Sequence, residues 1–293
     1  MSGVRRYCGR DFSEADLALI ATLCQNLPNR RAISRALCLE LDWWRPDGRP
    51  REMSARVALL RMQADGLLQL PPPQSVNGNH RWPLRLPPSP PPPEVHGRLS
   101  QLGGIRLRLL RRRHWRDRDT RLWNELIARH HYLGYTPLPG AQLRYFIEDT
   151  QARILGLFGF AAAAWKCQPR DSFIGWDHPT REANLHLVVG NARFLILPWV
   201  KVPNLASAAL GRAARQLPGD WQDAYGYRPA LLETFVEVDR FPGTSYRAAN
   251  WLHLGVTQGR GKLDRFKQFA LPMKHVFVYP LAPNFRTCLG VPS

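Results

Sequence analysis

The stretch LLETFVEVD, residues 231–239, places carboxylates at alternate positions of an apolar run. In a strand, whose side chains alternate between two faces, Glu233, Glu237 and Asp239 would lie on one face. Glu233 is deepest in the run, where an unpaired charge is costly, so it needs a cation, a hydrogen-bond donor or a metal. Two interpretations stay open: a structural Glu–Arg pair, with Arg193 as the expected partner, and a functional carboxylate.

A tyrosine follows this strand in TSYRAANWLHLG, residues 244–255, which is predicted to be a helix preceded by a turn at Gly243. Tyr246 and Asn250 are four residues apart and would share one face of that helix. A phenol and an amide beside Glu233 would form a polar site. The sequence therefore predicts one pocket in which Glu233 and Tyr246 meet.

Further candidate groups lie in RHHYLG, which holds His131 and Tyr132 at a predicted helix end, and in FIGWDHP, which holds Asp177 in a predicted loop. His131 is a candidate general base. Cleavage of a phosphodiester needs either carboxylates that hold Mg²⁺ or a side-chain nucleophile. Glu233 with Asp177 or Glu237 would serve the first route and make Mg²⁺ a candidate cofactor, whereas Tyr246 or Tyr132 would serve the second. A loop carboxylate that is simply solvated is the alternative for Asp177.

The chain that must position these groups is strongly basic. Its 293 residues include 41 Lys and Arg against 23 Asp and Glu, a formal net charge of +18. Arginine binds phosphate oxygens bidentately and stacks on bases, so the excess favours a polyanionic partner, and DNA is the expected one. An arginine-rich composition inherited from a GC-rich genome is the alternative.

The candidate nucleic-acid contacts fall into three groups of basic residues. The group at 255–262, GVTQGRGK, lacks the GxxxxGK[ST] order of a P-loop and reads equally well as a basic turn. The candidates are Arg30, Arg31, Arg35, Arg51 and Arg56 near the N-terminus, Arg106, Arg108, Arg111, Arg112 and Arg113 in the middle, and Arg260 and Lys262 in the glycine-rich segment.

A proline-rich segment separates two parts of the chain, and we expect a linker at 74–98. The first part, 1–73, reads as three helices followed by a strand or wing at GLLQLPPP, and its third helix is expected to bury Val57, Leu60 and Met62. This order is typical of a winged helix-turn-helix that binds DNA. A small helical module that binds another protein is the alternative.

The second part, 99–293, reads as mixed α/β (α+β), with the element order β-α-β-β-β-α-β-α-β of the acetyltransferase-like (GNAT-like) fold. Those enzymes hold the cofactor pyrophosphate with backbone N–H groups of a glycine-rich segment before a helix. This chain has LPWVKVPNLASAAL there, with no glycine between Leu197 and Leu210. Binding of acetyl-CoA is therefore not expected, and an acyltransferase is kept as an alternative only.

Apolar runs and cysteine spacing indicate the expected cellular compartment and the expected cysteine chemistry. It holds no apolar run near the ~18 residues that span a bilayer, and its first residues do not form a signal peptide. The five cysteines are odd in number and show no CxxC spacing, which argues against a disulfide framework or structural zinc. We expect a cytoplasmic protein without a membrane partner.

Four motifs together resemble the DruA-like family, formerly a domain of unknown function: HHYLG, NARFLILP, NLASAAL and LLETFVEVDRFPGTSYRAANWLHLGVTQGRG. The family occurs in the Druantia anti-phage defence system and beside, or within, bacterial transposase genes. The resemblance implies a bacterial protein of a mobile element or of phage defence that acts on DNA, as a homodimer or with partner proteins of the same operon. The expected function is transposase-like or nuclease DNA processing; a non-catalytic DNA-binding accessory is the other alternative.

Overall fold

The computed structural model describes residues 4–44, 49–74, 92–111, 117–259 and 271–292. The chain divides into two compact units, Met1–Pro83 and Leu84–Ser293, called unit 1 and unit 2 below. The predicted linker spans this division. Among the described residues, no helix is both long and apolar enough to cross a membrane.

Unit 1 consists of a short hairpin and three helices around one apolar core. Its elements are β1 (Arg5–Tyr7), β2 (Arg10–Phe12), α1 (Glu14–Asn26), α2 (Arg30–Glu40) and α3 (Glu52–Ala64). Ser13 begins α1 through a capping box with Asp16, and the Asn29 side chain caps α2. The three predicted helices are therefore confirmed.

Two predictions about unit 1 are wrong. Residues 66–73 form no strand, so the predicted wing is missing there, and the hairpin of this unit precedes the helices instead. Helix α3 buries Met62 as predicted, together with Ala55, Ala58 and Leu59, whereas Val57 is only half-buried and Leu60 is 42% exposed. The two alanines give α3 a narrow face that packs closely against α2. The buried face of α3 therefore differs from the face that Val57 and Leu60 had indicated.

Unit 2 is built on a mixed seven-stranded sheet with the strand order β10-β11-β9-β7-β6-β5-β4. Its strands are β4 (Ile105–Leu109), β5 (Gln142–Asp149), β6 (Ile154–Ala162), β7 (Val188–Ile196), β9 (Leu231–Glu237), β10 (Leu252–Val256) and β11 (Lys274–Pro280). Two further short strands, β3 (Val95–His96) and β8 (Val200–Lys201), pair in parallel with each other.

The helices of unit 2 connect these strands in the predicted order, with additions. They are α4 (Arg118–His130), α5 (Gln168–Ile174), α6 (His178–Asn184), α7 (Leu205–Tyr225), α8 (Thr244–Ala248) and α9 (Phe285–Cys288). Helices α5 and α6 are inserted between β6 and β7, and β10 lies between α8 and β11. The predicted mixed α/β, acetyltransferase-like arrangement is confirmed.

The predicted helix at 244–255 is wrong over most of its length. Helix α8 ends at Ala248, Asn250 adopts a left-handed backbone with φ 61°, and Leu252–Val256 is strand β10, paired with β11. Asparagine tolerates the left-handed region better than most residues, so it is well suited to the turn that redirects the chain into the sheet. Tyr246 and Asn250 therefore do not share a helix face.

Strands β7 and β9 form a parallel pair, and every other neighbouring pair in this sheet is antiparallel. Their pairing covers only Val188↔Leu231, Val189↔Leu232 and Gly190↔Glu233, although both strands continue beyond it. The two strands consequently separate after Gly190 and Glu233. Side chains that follow this point can face a gap rather than a neighbouring strand.

Candidate functional site

A cavity of about 410 Å³ lies where β7 and β9 separate, and we call it the cleft. The end of α4, the outer halves of β7 and β9, and the turn into α8 form its walls. Its polar or titratable lining includes His131, Tyr132, Asn191, Thr234, Ser245 and Tyr246. Three of the five predicted catalytic residues, His131, Tyr132 and Tyr246, thus share one cavity.

The inner end of the cleft is a buried cluster of three polar side chains. The Asn191 amide Nδ2 donates to the Tyr246 hydroxyl at 3.1 Å, and the Thr234 hydroxyl lies 3.4 Å from the same oxygen. Thr234 also donates to the Asn191 carbonyl at 3.0 Å. Asn191 Oδ1 is buried without a hydrogen-bond partner among the described residues. One acceptor at the end of the cleft is therefore unsatisfied.

Tyr246 is fixed at this position by aromatic packing. Its ring stacks on Phe277, with centroids 5.5 Å apart, and meets Trp251 edge-on at 5.1 Å. Burial raises the pKa of the Tyr246 phenol well above its ordinary value of 10.0. The phenol stays protonated at neutral pH, which makes Tyr246 a hydrogen-bond or proton donor and a poor nucleophile.

His131 is neutral in the cleft wall. Its Nδ1 accepts a hydrogen bond from the Leu133 N–H at 3.2 Å, which assigns the proton of the neutral ring to Nε2. Burial, with a contribution from Arg193, lowers the pKa of His131 from 6.5 to about 4. So low a pKa makes a weak base at neutral pH, and the geometry favours a donor over the predicted general base.

This neutral histidine predicts a specific pH dependence. Its folded pKa of about 4 lies below the unfolded value of 6.5, so the unfolded chain binds more protons between these two pH values. We expect His131 to contribute stability that is complete above pH 6.5 and is lost as the pH falls towards 4. Urea unfolding at several pH values should show a weaker pH dependence in His131→Asn than in the wild type; the same dependence in both would contradict this placement.

Tyr132 forms the outer wall of the cleft beside His131. Its ring contacts Phe241 at a centroid distance of 5.5 Å, and the Arg240 guanidinium lies 5.3 Å from the ring centre. Burial raises the pKa of Tyr132, and the nearby Glu237 adds to the effect. Like Tyr246, this phenol remains protonated at neutral pH, so neither predicted tyrosine nucleophile is activated.

Glu233 does not belong to the cleft. It is fully buried; its Oε1 accepts from the Ala164 N–H at 2.6 Å and its Oε2 accepts from Arg170 Nη1 at 2.7 Å. The interpretation as a structural Glu–Arg pair is correct, but the expected partner is wrong. Arg193 instead donates to the Thr136 hydroxyl and to the Ala192 carbonyl.

The predicted meeting of Glu233 and Tyr246 is also wrong. Consecutive side chains of a strand point to opposite faces of its sheet. Thr234 contacts Tyr246, whereas Glu233 contacts Arg170 of α5 on the other face. The two predicted catalytic residues therefore lie on opposite sides of β9, and Asn191 and Thr234 are the polar groups that accompany the tyrosine.

Comparison with known proteins now identifies the family. Residues 100–274 match the family described as Druantia protein DruA. The chain belongs to this family. The match confirms the resemblance found in the sequence motifs, and it supports a role in an anti-phage defence system.

Solved structures that resemble this DruA family member are acetyltransferases of low sequence identity. The spermidine/spermine N-acetyltransferase SpeG from Vibrio cholerae in complex with manganese ions is 13% identical, with a TM-score of 0.38, covering 64% of this chain and 98% of that one. The Vibrio cholerae spermidine N-acetyltransferase in complex with CoA and spermine is 14% identical, with a TM-score of 0.37, covering 59% and 92%. No curated protein matches the chain.

The proposed metal pair of this DruA family member is not assembled. Asp177 is exposed and caps α6 by accepting from the Thr180 N–H at 2.9 Å, and hydrogen bonds from the Thr180 side chain and from this N–H lower the pKa of the carboxyl. Glu233 is fully buried with both oxygens engaged. In the part of the chain that the structure describes, no group of three or more His, Cys, Asp or Glu side chains is arranged to hold a metal ion.

The basic residues predicted in unit 1 differ in their availability. Arg30 Nε donates to the Pro71 carbonyl at 2.7 Å, and Arg51 Nε donates to the Trp44 carbonyl at 2.9 Å, so both have intramolecular roles. Arg56 is half-buried. Arg31 and Arg35 are exposed on α2, and Arg35 lies 3.9 Å from Glu52 in a weak surface pair.

Two of the five basic residues predicted in the middle of the chain form ion pairs with acidic side chains of unit 2. Arg106 and Arg108 both bind Glu148, at 2.9 and 2.6 Å, and Arg108 also binds Asp119. Since Glu148 is only 2% exposed, these arginines offset a buried charge, and their role in binding nucleic acid stays a prediction. Arg111 is exposed. The remaining candidates, Arg112, Arg113, Arg260 and Lys262, lie outside the described residues.

Three residues with important contacts were not among the sequence candidates. Arg170 is completely buried, Arg181 is 8% exposed, and Asn191 is 5% exposed. The only feature of the sequence that indicates a role for Arg170 and Arg181 is that both lie in a short segment, 165–181, together with Trp165 and Trp176. Asn191 is the first residue of the motif NARFLILP and lies two residues before Arg193, the predicted partner of Glu233.

Proposed function

We propose that the protein is a DNA-binding component of an anti-phage defence system and that helix α2 of unit 1 supplies phosphate contacts. The observation that carries the proposal is the exposure of Arg31 and Arg35, which are four residues apart and so share one face of α2. The formal net charge of +18 supports a polyanionic partner.

The proposal is restricted to DNA binding because neither predicted route to phosphodiester cleavage has its groups in place. The metal route needs available carboxylates, and Glu233 is committed to Arg170. The tyrosine route needs an activated phenol, and burial raises the pKa of both Tyr246 and Tyr132. A binding protein that brings partner proteins of the same operon to DNA requires neither route.

Charge reversal on α2 tests this proposal. We expect the double change Arg31→Glu and Arg35→Glu to weaken duplex binding by about tenfold or more and to lower the salt slope of the affinity by about 2, one for each phosphate that is no longer neutralised. Fluorescence anisotropy with labelled duplex DNA between about 50 and 200 mM salt measures both quantities.

The matched control for this experiment is the double change Arg212→Glu and Arg215→Glu, which reverses two exposed arginines on α7 of unit 2. It should change the affinity and the salt slope much less than the α2 changes do. If both variants keep the wild-type affinity and slope, α2 is not the DNA-binding surface. If the wild type does not bind DNA, the proposed function fails as a whole.

A second candidate function is group transfer, as in an acyltransferase, within the cleft. It is favoured by the protonated Tyr246 hydroxyl at the inner end, which could donate a proton to a leaving group. The missing glycine-rich segment before α7 opposes it. Calorimetry with acetyl-CoA separates the two: micromolar binding would support this second candidate, and no heat of binding would remove it.

A further inference from the structure

We propose that a second pocket of unit 2, at helices α5 and α6, binds one phosphate of single-stranded DNA and stacks a neighbouring base on Trp165. This inference rests on the proposed function in assuming that DNA is the ligand. It adds a strand preference and a second contact region that the α2 surface does not supply.

The pocket, called the α5–α6 pocket below, has a volume of about 480 Å³. It is separate from the cleft in its lining residues, and its contacts connect to the face of β9 that carries Glu233. The side chains that matter for the argument are Lys166, Asp171, Trp176 and Arg181.

Arg181 is the first observation that points to a ligand. Its side chain is 10% exposed, and its Nη1 lies 3.7 Å from Asp171 Oδ2, too far for a strong hydrogen bond. Its Nε and Nη2 have no hydrogen-bond partner among the described residues. Buried guanidinium donors without acceptors are costly, and phosphate oxygens match the fork of a guanidinium in both geometry and charge.

The carboxylate in the pocket is already satisfied by the protein. Asp171 Oδ1 accepts from Arg170 Nε at 2.9 Å and from Trp176 Nε1 at 3.0 Å, and its Oδ2 accepts from the Cys167 N–H at 3.1 Å. Arg170 also neutralises Glu233. The group therefore holds two carboxylates against three cations, counting the exposed Lys166, and the remaining positive charge favours an anion.

Trp165 is the second, independent observation. Trp165 as a residue is 53% exposed, an unusual state for the largest apolar residue, and the Arg181 guanidinium lies 6.0 Å from its ring centre. An exposed aromatic ring beside cations is the arrangement with which proteins stack unpaired bases of single strands. Bases within a duplex are already stacked on one another, so the geometry selects single-stranded DNA.

The test uses the full chain with two probes of about 12 nucleotides, a length within the usual range of single-strand sites. One probe is oligothymidylate and the other is an abasic strand of equal length. We expect Trp165→Ala to weaken oligothymidylate binding about tenfold while leaving abasic binding unchanged, because only the first probe can stack. Lys166→Glu should weaken both, since both carry phosphates. Both positions are exposed and neither belongs to an apolar core cluster, so these changes leave the core packing intact.

Lys201→Glu, at an exposed lysine on β8, is the control for the change in charge and should bind both probes nearly as the wild type does. Equal binding of both probes by the wild type and the two pocket variants would overturn the inference. So would an equal loss of both probes in Trp165→Ala, because this would indicate a structural effect. If either of these two results is found while duplex binding still depends on Arg31 and Arg35, only the binding site at the α5–α6 pocket is rejected. If the protein binds no DNA at all, the proposed function is rejected as well.

Discussion

Replacement of Glu233 by glutamine is expected to lower the free energy of unfolding of unit 2 by about 3–5 kcal/mol. Both carboxylate oxygens accept hydrogen bonds, from the Ala164 N–H and from Arg170 Nη1. An amide of the same shape would present its NH₂ group to one of these two donors. It would also leave the fully buried Arg170 with only Asp171 as a carboxylate partner.

Guanidinium unfolding measures the loss, and hydrogen exchange of the β9 amides assigns it to unit 2. The control is Glu237→Gln on the same strand. Glu237 is 14% exposed and pairs with one arginine, Arg240, whose side chain is 55% exposed, so its replacement should cost less than that of Glu233, about 1–2 kcal/mol. Equal losses in the two variants would show that the Glu233–Arg170 pair has no special weight.

Replacement of Gly243 by alanine should lower the stability by about 2–5 kcal/mol and distort the cleft. Gly243 precedes α8 with φ 74°, in the left-handed region that is strained for other residues. A methyl group there would lie 2.6 Å from Phe277 Cε2 and clash with the ring. Phe277 stacks on Tyr246, so its displacement would move the hydroxyl at the inner end of the cleft.

The control for this second change is Gly226→Ala. Gly226 has a similar φ of 80° at the end of α7, but a methyl group there would meet no atom within 4 Å. It should therefore cost only the left-handed strain, about 1–2 kcal/mol. Thermal or denaturant unfolding of both variants separates the cost of the left-handed backbone from the cost of the clash with Phe277. A loss in Gly243→Ala no greater than in Gly226→Ala would contradict the described packing at Phe277.

The sequence predicted features that depend on local patterns. Ser13, a residue type that favours the N-cap position, begins α1 through a capping box, and the alternation of apolar and basic residues in β4 buries Leu107 while Arg106 and Arg108 point away from the core. The need of Glu233 for a cation was correct as well, because it follows from burial of a charge in an apolar strand.

The partner of Glu233 could not be deduced, because Arg170 is 63 residues away in a helical insertion whose position depends on the whole sheet. The location of Tyr246 failed for a related reason. Alternation along β9 gives the face of Glu233, but the face reached by Tyr246 depends on the turn at Gly243 and on the left-handed Asn250. Neither conformation is encoded by periodicity.

The shared use of Arg170 has a consequence for the evolution and engineering of this chain. The α5–α6 insertion lies between β6 and β7 and adds no strand to the sheet, yet its Arg170 supplies the cation that Glu233 requires. A chain that lacks this insertion would keep the Glu233 carboxylate buried in the sheet without its cation. Deletion of the insertion therefore requires replacement of Glu233 by an apolar residue at the same time, because the two segments, distant in the chain, depend on each other for stability.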